Sequence, residues 1–263
     1  MFVLCDSKTG YVLDIIIYCG DGTDVTDEQC IGASGAVVTT MLNGYLGKGH
    51  KLYVDNWYTS PILFKFLHDH QTNACGTVRK NRKNMPKFDK LKKGEITSQY
   101  SDSLMALKWH DKREIHMLTT LHDDKVSPTG KINFRTGEVV SKPNCIQDYN
   151  KNMGLVDKAD MMITSVNSLR KSIKWYKKVF FHFIDLYLLN SYIMHKTVSS
   201  KNITFPDFQL YVIRQLLEKY HTTSHPEVGP CTSQDVPLRL SAKNASKTYA
   251  DTYTRKRKNP KTL

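Results

Sequence analysis

The chain has 263 residues, 40% of them hydrophobic, and its 38 Lys and Arg against 25 Asp and Glu leave a formal charge of +13. That length buries one substantial core, or one core with an inserted subdomain, and no apolar run is long enough to cross a bilayer. So basic a chain favours polyanionic partners through counterion release, although a ribosomal or chromatin-associated protein would look the same, so charge gives a partner class and no mechanism. Six cysteines (Cys5, Cys19, Cys30, Cys75, Cys145 and Cys231) form no CxxC pair. This argues against a zinc ribbon or a disulfide scaffold and fits a reducing compartment. The N-terminus lacks the pattern of a signal peptide.

Met1 to Leu4 is apolar and ends at Cys5-Asp6-Ser7, with turn chemistry at Lys8-Thr9-Gly10 and a second β-rich run from Tyr11 to Tyr18. The two runs predict a hairpin, with Asp6 at the end of its first strand. A central strand that opens at residue 1 is unusual, and the expectation is that an N-terminal region has been lost. Asp21 to Asp27 is an acidic loop. Small and apolar residues from Ile31 to Leu46 predict a helix, with Gly44 and Gly47 near its end.

Lys51 to Ser60 reads KLYVDNWYTS. Its apolar start predicts a short strand that delivers Asp55, and Thr59, Ser60 and Pro61 look like the cap and first turn of a helix to about His70. Open α/β sheets place their chemistry at such strand ends. A lone Asp here also serves as a simple turn cap. Ala74 to Val78 is a further strand, so residues 1–78 read as the first part of an α/β core.

From Arg79 the character changes. Arg79, Lys80, Arg82, Lys83, Lys87, Lys90, Lys92 and Lys93 crowd one stretch in which Asp89 is the only acid. A solvated basic loop is one reading; its place after a core strand, beside the face where Asp6 and Asp55 would emerge, gives weight to phosphate contact. Strand-like alternation from Ile96 to Thr120 makes residues 79–142 a basic, β-rich insertion.

Pro143 marks the return to the core, residues 143–220. Cys145 to Thr164 predicts one helix, on which Asp157 and Asp160, three apart, share a face. They are either a solvent-facing or dipole-matching pair or a metal-facing pair. Ser172 to His195 is a long helix whose aromatic stripe is most economically core packing, and Phe205 to Tyr220 is another amphipathic helix. Residues 221–263 read as a flexible basic tail ending in Arg255-Lys256-Arg257-Lys258, either an import signal, a phosphate contact or inert.

Asp6 and Asp55 at two strand ends and Asp157, with Asp160, on a later helix can converge. Three carboxylates at one point repel unless cations occupy the site. Hard oxygen ligands suit Mg²⁺ or Mn²⁺, and two such ions serve phosphodiester chemistry. From the residues alone this is a metal-dependent nucleic-acid phosphoryl-transfer site.

CDSKTGYV at 5–12, YVDNWYTS at 53–60, GTVRKN at 76–81 and GLVDKADMM at 154–162 resemble, in order and spacing, the piggyBac family of DNA transposases, as do Lys174-Trp175 and the helix after them. The resemblance covers roughly residues 1–220. It implies an α/β fold with an RNase H-like catalytic core, interrupted by a β-rich insertion and followed by C-terminal helices. It places the family's catalytic aspartates on Asp6, Asp55 and Asp157, as ligands of two Mg²⁺ or Mn²⁺ ions, and its additional acidic position on Asp160. Arg79, Lys80, Arg82, Lys83 and Trp175 fall at positions expected to bind DNA. The implied reaction is cut-and-paste transposition at TTAA targets by a nuclear DDD-type transposase that acts on double-stranded DNA. The family also implies a homodimer, with no membrane association and no small-molecule cofactor. Family members carry a sizeable region before the first catalytic strand and a cysteine-rich zinc domain after the core, and the expectation is that this chain has lost most of the first and all of the second. The rival reading is therefore a domesticated or degraded DNA-binding or scaffold protein without catalysis. A third is a basic nucleic-acid binder whose aspartates only cap turns.

Overall fold

The computed structural model describes residues 1–25, 31–132, 134, 137–165, 171, 173–199 and 202–221. The end of the acidic loop at Asp27, Ser172 and the basic tail with Arg255–Lys258 lie outside the described residues.

Strands β1 (Phe2–Cys5) and β2 (Val12–Ile16) form the expected hairpin, an antiparallel two-stranded sheet with Phe2 opposite Ile16. Helix α1 (Ala33–Leu42) is shorter than its apolar pattern suggested. Strand β3 (Lys51–Val54) leads to Asp55. Ser60 then caps helix α2 (Pro61–Asp69), its hydroxyl accepting from the Leu63 amide at 3.3 Å, with Pro61 in the first turn. Strand β4 (Asn73–Thr77) returns parallel to β3, with Leu52 opposite Ala74 and Val54 opposite Gly76. A helix between two parallel strands is the βαβ unit on which such sheets are built.

Three strands follow the basic segment: β5 (Ile96–Ser101), β6 (Leu104–His110) and β7 (Glu114–Thr119). These strands, expected to form an insertion, join the same sheet. β7 pairs antiparallel with β4 through Cys75–Thr119, Gly76–Leu118 and Thr77–Met117. The result is a five-stranded mixed sheet in the order β3-β4-β7-β6-β5. A separate hairpin comprises β8 (Val126–Ile132) and β9 (Val139–Pro143).

Apolar residues in sequence alternate between two cores, which is why these strands read as near-continuous apolar runs. Leu52, Val54, Ala74, Ala106 and Leu118 pack with Leu63, Phe64 and Leu67 of α2 and with Val38 and Leu42 of α1. Cys75, Met105, Leu107, Trp109 and Met117 pack instead with Cys145 and Ile146 of helix α3 (Asn144–Asn152). Phe64 is fully buried. Phe64→Ala is expected to cost about 3–5 kcal/mol, read from the midpoint of urea unfolding, because a ring-sized cavity is left between helix and sheet.

The single helix expected over Cys145–Thr164 is two: α3 ends at Asn152 and α4 (Leu155–Ser165) begins after Gly154. Glycine costs a helix about 1 kcal/mol relative to alanine, enough for packing to break the segment there. Helix α5 (Trp175–Val198) and helix α6 (Phe205–Tyr220) follow. Ala159 and Ile163 of α4, Leu186, Leu189 and Tyr192 of α5, and Phe205 and Phe208 of α6 form a third core around Val12 of the hairpin. The chain divides into two compact units, Met1–Ile213 and Arg214–Leu263. Everything above lies in the first except the end of α6, whose last residues, with His221, are the described part of the second.

Candidate active site and nucleic-acid interface

Asp55 follows β3 in a tight turn closed on itself. Its Oδ1 accepts from the Trp57 amide at 2.8 Å, and its backbone carbonyl accepts from the Thr59 amide at 3.2 Å and from the Thr59 hydroxyl at 2.8 Å. This is an Asx-type turn, in which a carboxylate replaces a backbone acceptor. Among the described residues Asp55 Oδ2 takes no hydrogen bond, and the carboxylate is half-buried. Its charge is felt nearby. Burial pushes the Tyr58 phenol above its usual range and Asp55 adds to the rise. Burial also raises the Tyr149 phenol on α3, against a hydrogen bond with Thr77, again with a contribution from Asp55.

Asp6 sits just beyond β1 in the hairpin turn. Its Oδ2 accepts from the Thr9 amide at 2.9 Å and the Thr9 hydroxyl at 2.5 Å, while the Gly10 amide donates to its backbone carbonyl. Burial pushes the Asp6 carboxyl upward, but hydrogen bonds from Thr9 and from the Lys8 backbone outweigh it and hold the group below the usual carboxylate range. Asp157 lies in the first turn of α4 and Asp160 one turn on; both are exposed, and among the described residues neither carboxylate has a hydrogen bond or ion pair.

The elements bearing these carboxylates are neighbours. Phe2 of β1 stacks on Trp57 of the Asp55 turn, with ring centres 5.8 Å apart and planes 13° from parallel. The Lys8–Gly10 turn beside Asp6 meets α4 and α5 at a cleft of about 440 Å³. β1 and β3 belong to different sheets, so Asp6 and Asp55 do not end adjacent hydrogen-bonded strands. Among the described residues no group of three or more His, Cys, Asp or Glu is gathered closely enough to hold a metal ion. The donor chemistry nevertheless fits a hard divalent cation: all four are carboxylates, and Asp55, Asp157 and Asp160 each keep an oxygen with no protein partner among the described residues.

Two features carry no obvious mark in the sequence. The cleft is lined by Lys8, Lys158 and Lys196, by Thr9 and Thr197, and by apolar α4 and α5 side chains. Lys158 directly follows Asp157 and Lys8 lies two residues after Asp6, a signal that was available but indistinct in so basic a chain. Asp148 on α3 is the second: its Oδ2 accepts from the Tyr53 hydroxyl at 2.6 Å and lies 3.0 Å from His122 Nε2, and its Oδ1 accepts from Asn152 Nδ2 at 2.9 Å. So fully engaged a carboxylate is a structural tie beneath β3.

The basic segment lacks regular secondary structure, yet its backbone is pinned along the sheet. Buried Lys108 donates to the Asp89 carbonyl at 2.8 Å while pairing with Glu114, His110 Nδ1 lies 2.8 Å from the Leu91 carbonyl, and Gln99 donates to the Lys87 carbonyl. Arg79, Lys80 and Lys83 are exposed on it. Arg82 is turned inward, onto carbonyls of the Asp55 turn. At the start of α5, Trp175 is 67% exposed beside Tyr176, with Lys177 and Lys178 in the same turn. An exposed aromatic ring among cations suits stacking on bases or sugars next to phosphates.

The family model described as Transposase IS4 matches residues 1–192. Two human proteins are similar. PiggyBac transposable element-derived protein 3 is 27% identical over 236 residues, which is 82% of this chain and 38% of that protein. The chimeric ERCC6-PGBD3 protein is 27% identical over the same length, 21% of its own. The chain thus spans well under half of either relative. Among solved structures, a piggyBac transposase synaptic complex with hairpin DNA superposes with a TM-score of 0.66 at 23% identity, over 98% of this chain and 55% of that one.

Proposed function

We propose that this chain, which belongs to the Transposase IS4 family in its piggyBac-type group, is the catalytic domain of a DNA transposase that cleaves and rejoins strands at TTAA targets. The observation that carries this reading is Asp55: a half-buried carboxylate with one oxygen uncommitted, held at the end of a core strand beside a pinned basic strip. On this reading the mixed sheet and its helices are an RNase H-like core, and Asp6, Asp55 and Asp157 hold divalent metal with Asp160 assisting. Bound Mg²⁺ or Mn²⁺ supplies Lewis-acid activation of a water or 3′-hydroxyl and stabilisation of the leaving oxygen.

The chain's own residues do the rest. Thr9 orients Asp6 through its amide and hydroxyl, the Trp57 amide orients Asp55, and Arg79, Lys80 and Lys83 hold backbone phosphates on a preorganised strip. Trp175 stacks at the DNA end. Double-stranded DNA is the substrate, a homodimer the working assembly and the nucleus the compartment, with Arg255–Lys258 as import signal. The structural neighbour, captured with hairpin DNA, is consistent with this choice of substrate.

A second reading is favoured by a specific observation. Three carboxylates are not gathered among the described residues, and one of the human relatives is named as element-derived. The chain would then be a domesticated DNA-binding scaffold. The test is a TTAA-flanked duplex incubated with the full chain and Mn²⁺. The transposase reading expects nicked and strand-transferred products that vanish with EDTA. DNA binding that is indifferent to EDTA, with no product at any Mn²⁺ concentration, would leave only the scaffold.

A further inference from the structure

We propose that Arg82 is a positioning residue for Asp55 rather than a DNA-phosphate contact. The proposal rests on the transposase reading above for its catalytic meaning, and on the hydrogen bonds of one side chain for its structure. Among the cations from Arg79 to Lys93, Arg82 alone is half-buried; the others are exposed. Its Nε donates to the Thr59 carbonyl at 2.9 Å, and its Nη2 donates to the Asn56 carbonyl at 2.9 Å and to the Trp57 carbonyl. Arg79 reaches the same turn from outside, Nε to Asn56 Oδ1 at 3.4 Å.

The turn is therefore held from two sides. The Trp57 amide, the Thr59 amide and the Thr59 hydroxyl point inward and fix Asp55 through its carboxylate and its carbonyl. The carbonyls of Asn56, Trp57 and Thr59 accept from Arg82, and that of buried Thr59 would be orphaned without a donor. A planar guanidinium serves all three at once; an ammonium offers a single nitrogen and cannot span carbonyls spread over four residues. The direction of the Asp55 carboxylate thus depends on a residue far along the chain, and the VDNWYTS and VRKNR blocks form one structural unit.

The test compares Arg82→Ala, Arg82→Lys and Lys83→Ala in the full chain by three readouts: hydrogen exchange at the 57–59 amides, duplex binding across a salt series, and the Mn²⁺ dependence of nicking. Both Arg82 variants are expected to speed amide exchange at Trp57 and Thr59 about tenfold or more. They should leave duplex affinity and salt slope near wild type, and raise the Mn²⁺ needed for half-maximal nicking. Lys83→Ala should lower the salt slope by roughly one with unchanged exchange. Wild-type behaviour of Arg82→Lys, or a salt slope lost in Arg82→Ala while exchange stays slow, would overturn the proposal. If the wild-type chain nicks nothing, the transposase reading fails by itself, and the exchange and salt readouts still decide what Arg82 does. Arg82→Lys keeps the charge, so these readouts survive a fold that tolerates no alanine there.

Discussion

Asp55→Asn is expected to remove Mn²⁺-dependent nicking and strand transfer by roughly 10³-fold or more while leaving the fold intact. The side chains are nearly the same shape, and an asparagine Oδ1 accepts from the Trp57 amide as the carboxylate does, so the turn keeps its 2.8 Å closure. The Thr59 bonds go to the backbone carbonyl and are untouched by the substitution. Unfolding free energy should therefore stay within about 0.5 kcal/mol of wild type. What is lost is one unit of negative charge and a hard oxygen ligand, worth several kcal/mol at a phosphoryl-transfer site, and each 1.4 kcal/mol or so is tenfold in rate. Unchanged stability and DNA affinity with abolished product formation would assign Asp55 to chemistry. Equal activity of the two proteins would remove it from the ligand set and count against the transposase reading.

The same substitution separates the two roles that one turn performs. As a cap, Asp55 contributes through its Oδ1 acceptor, which asparagine retains; as a ligand it contributes through charge and Oδ2, which asparagine changes. Thr59→Ala does the reverse, removing the hydroxyl from the Asp55 carbonyl while leaving the carboxylate in place. A protein that only binds DNA would show the second effect, as lost stability, and be indifferent to the first.

Much of the fold was legible because local chemistry and burial agreed. The hairpin around Lys8-Thr9-Gly10, the Ser60–Pro61 helix start and the βαβ unit to β4 follow from turn residues, caps and apolar runs. The helix break at Gly154 was hidden because the apolar spacing runs on across it. The joining of β5–β7 to the main sheet was hidden for another reason. Strand pairing between Gly76 and Leu118 is a backbone contact between distant residues, and alternation reveals a strand without revealing its neighbour. At the site, the carboxylates could be picked out by type and position, but their separation could not. Arg82 shows the limit most clearly. In sequence it is one cation among many, and only its half-buried place against three carbonyls distinguishes it from Lys80 or Lys83.

Gly76→Ala is expected to destabilise the protein by about 3 kcal/mol, whereas Gly154→Ala should be neutral or stabilise by up to about 1 kcal/mol. A Cβ at Gly76 would lie 2.6 Å from the Val54 carbonyl oxygen of the neighbouring strand, and closer still to the Thr59 hydroxyl. Neither atom yields easily. The carbonyl belongs to β3, and the hydroxyl is buried and bonded to the Asp55 carbonyl. The methyl must either pry β3 from β4 or expel the hydroxyl and leave it unpaired, each costing about 1–3 kcal/mol. At Gly154 a Cβ meets nothing within 4 Å, and alanine there stiffens only the unfolded chain. Paired with Thr59→Ala, Gly76→Ala should cost less than the two changes summed, because the hydroxyl in its way is gone; the carbonyl clash remains, so recovery is partial. Strict additivity in that double-mutant cycle would mean that Thr59 and Gly76 do not touch. The glycine of the GTVR block would then owe nothing to the Asp55 turn. A coupling of about 1 kcal/mol or more would show that the small residue in β4 is there to admit the hydroxyl that fixes Asp55.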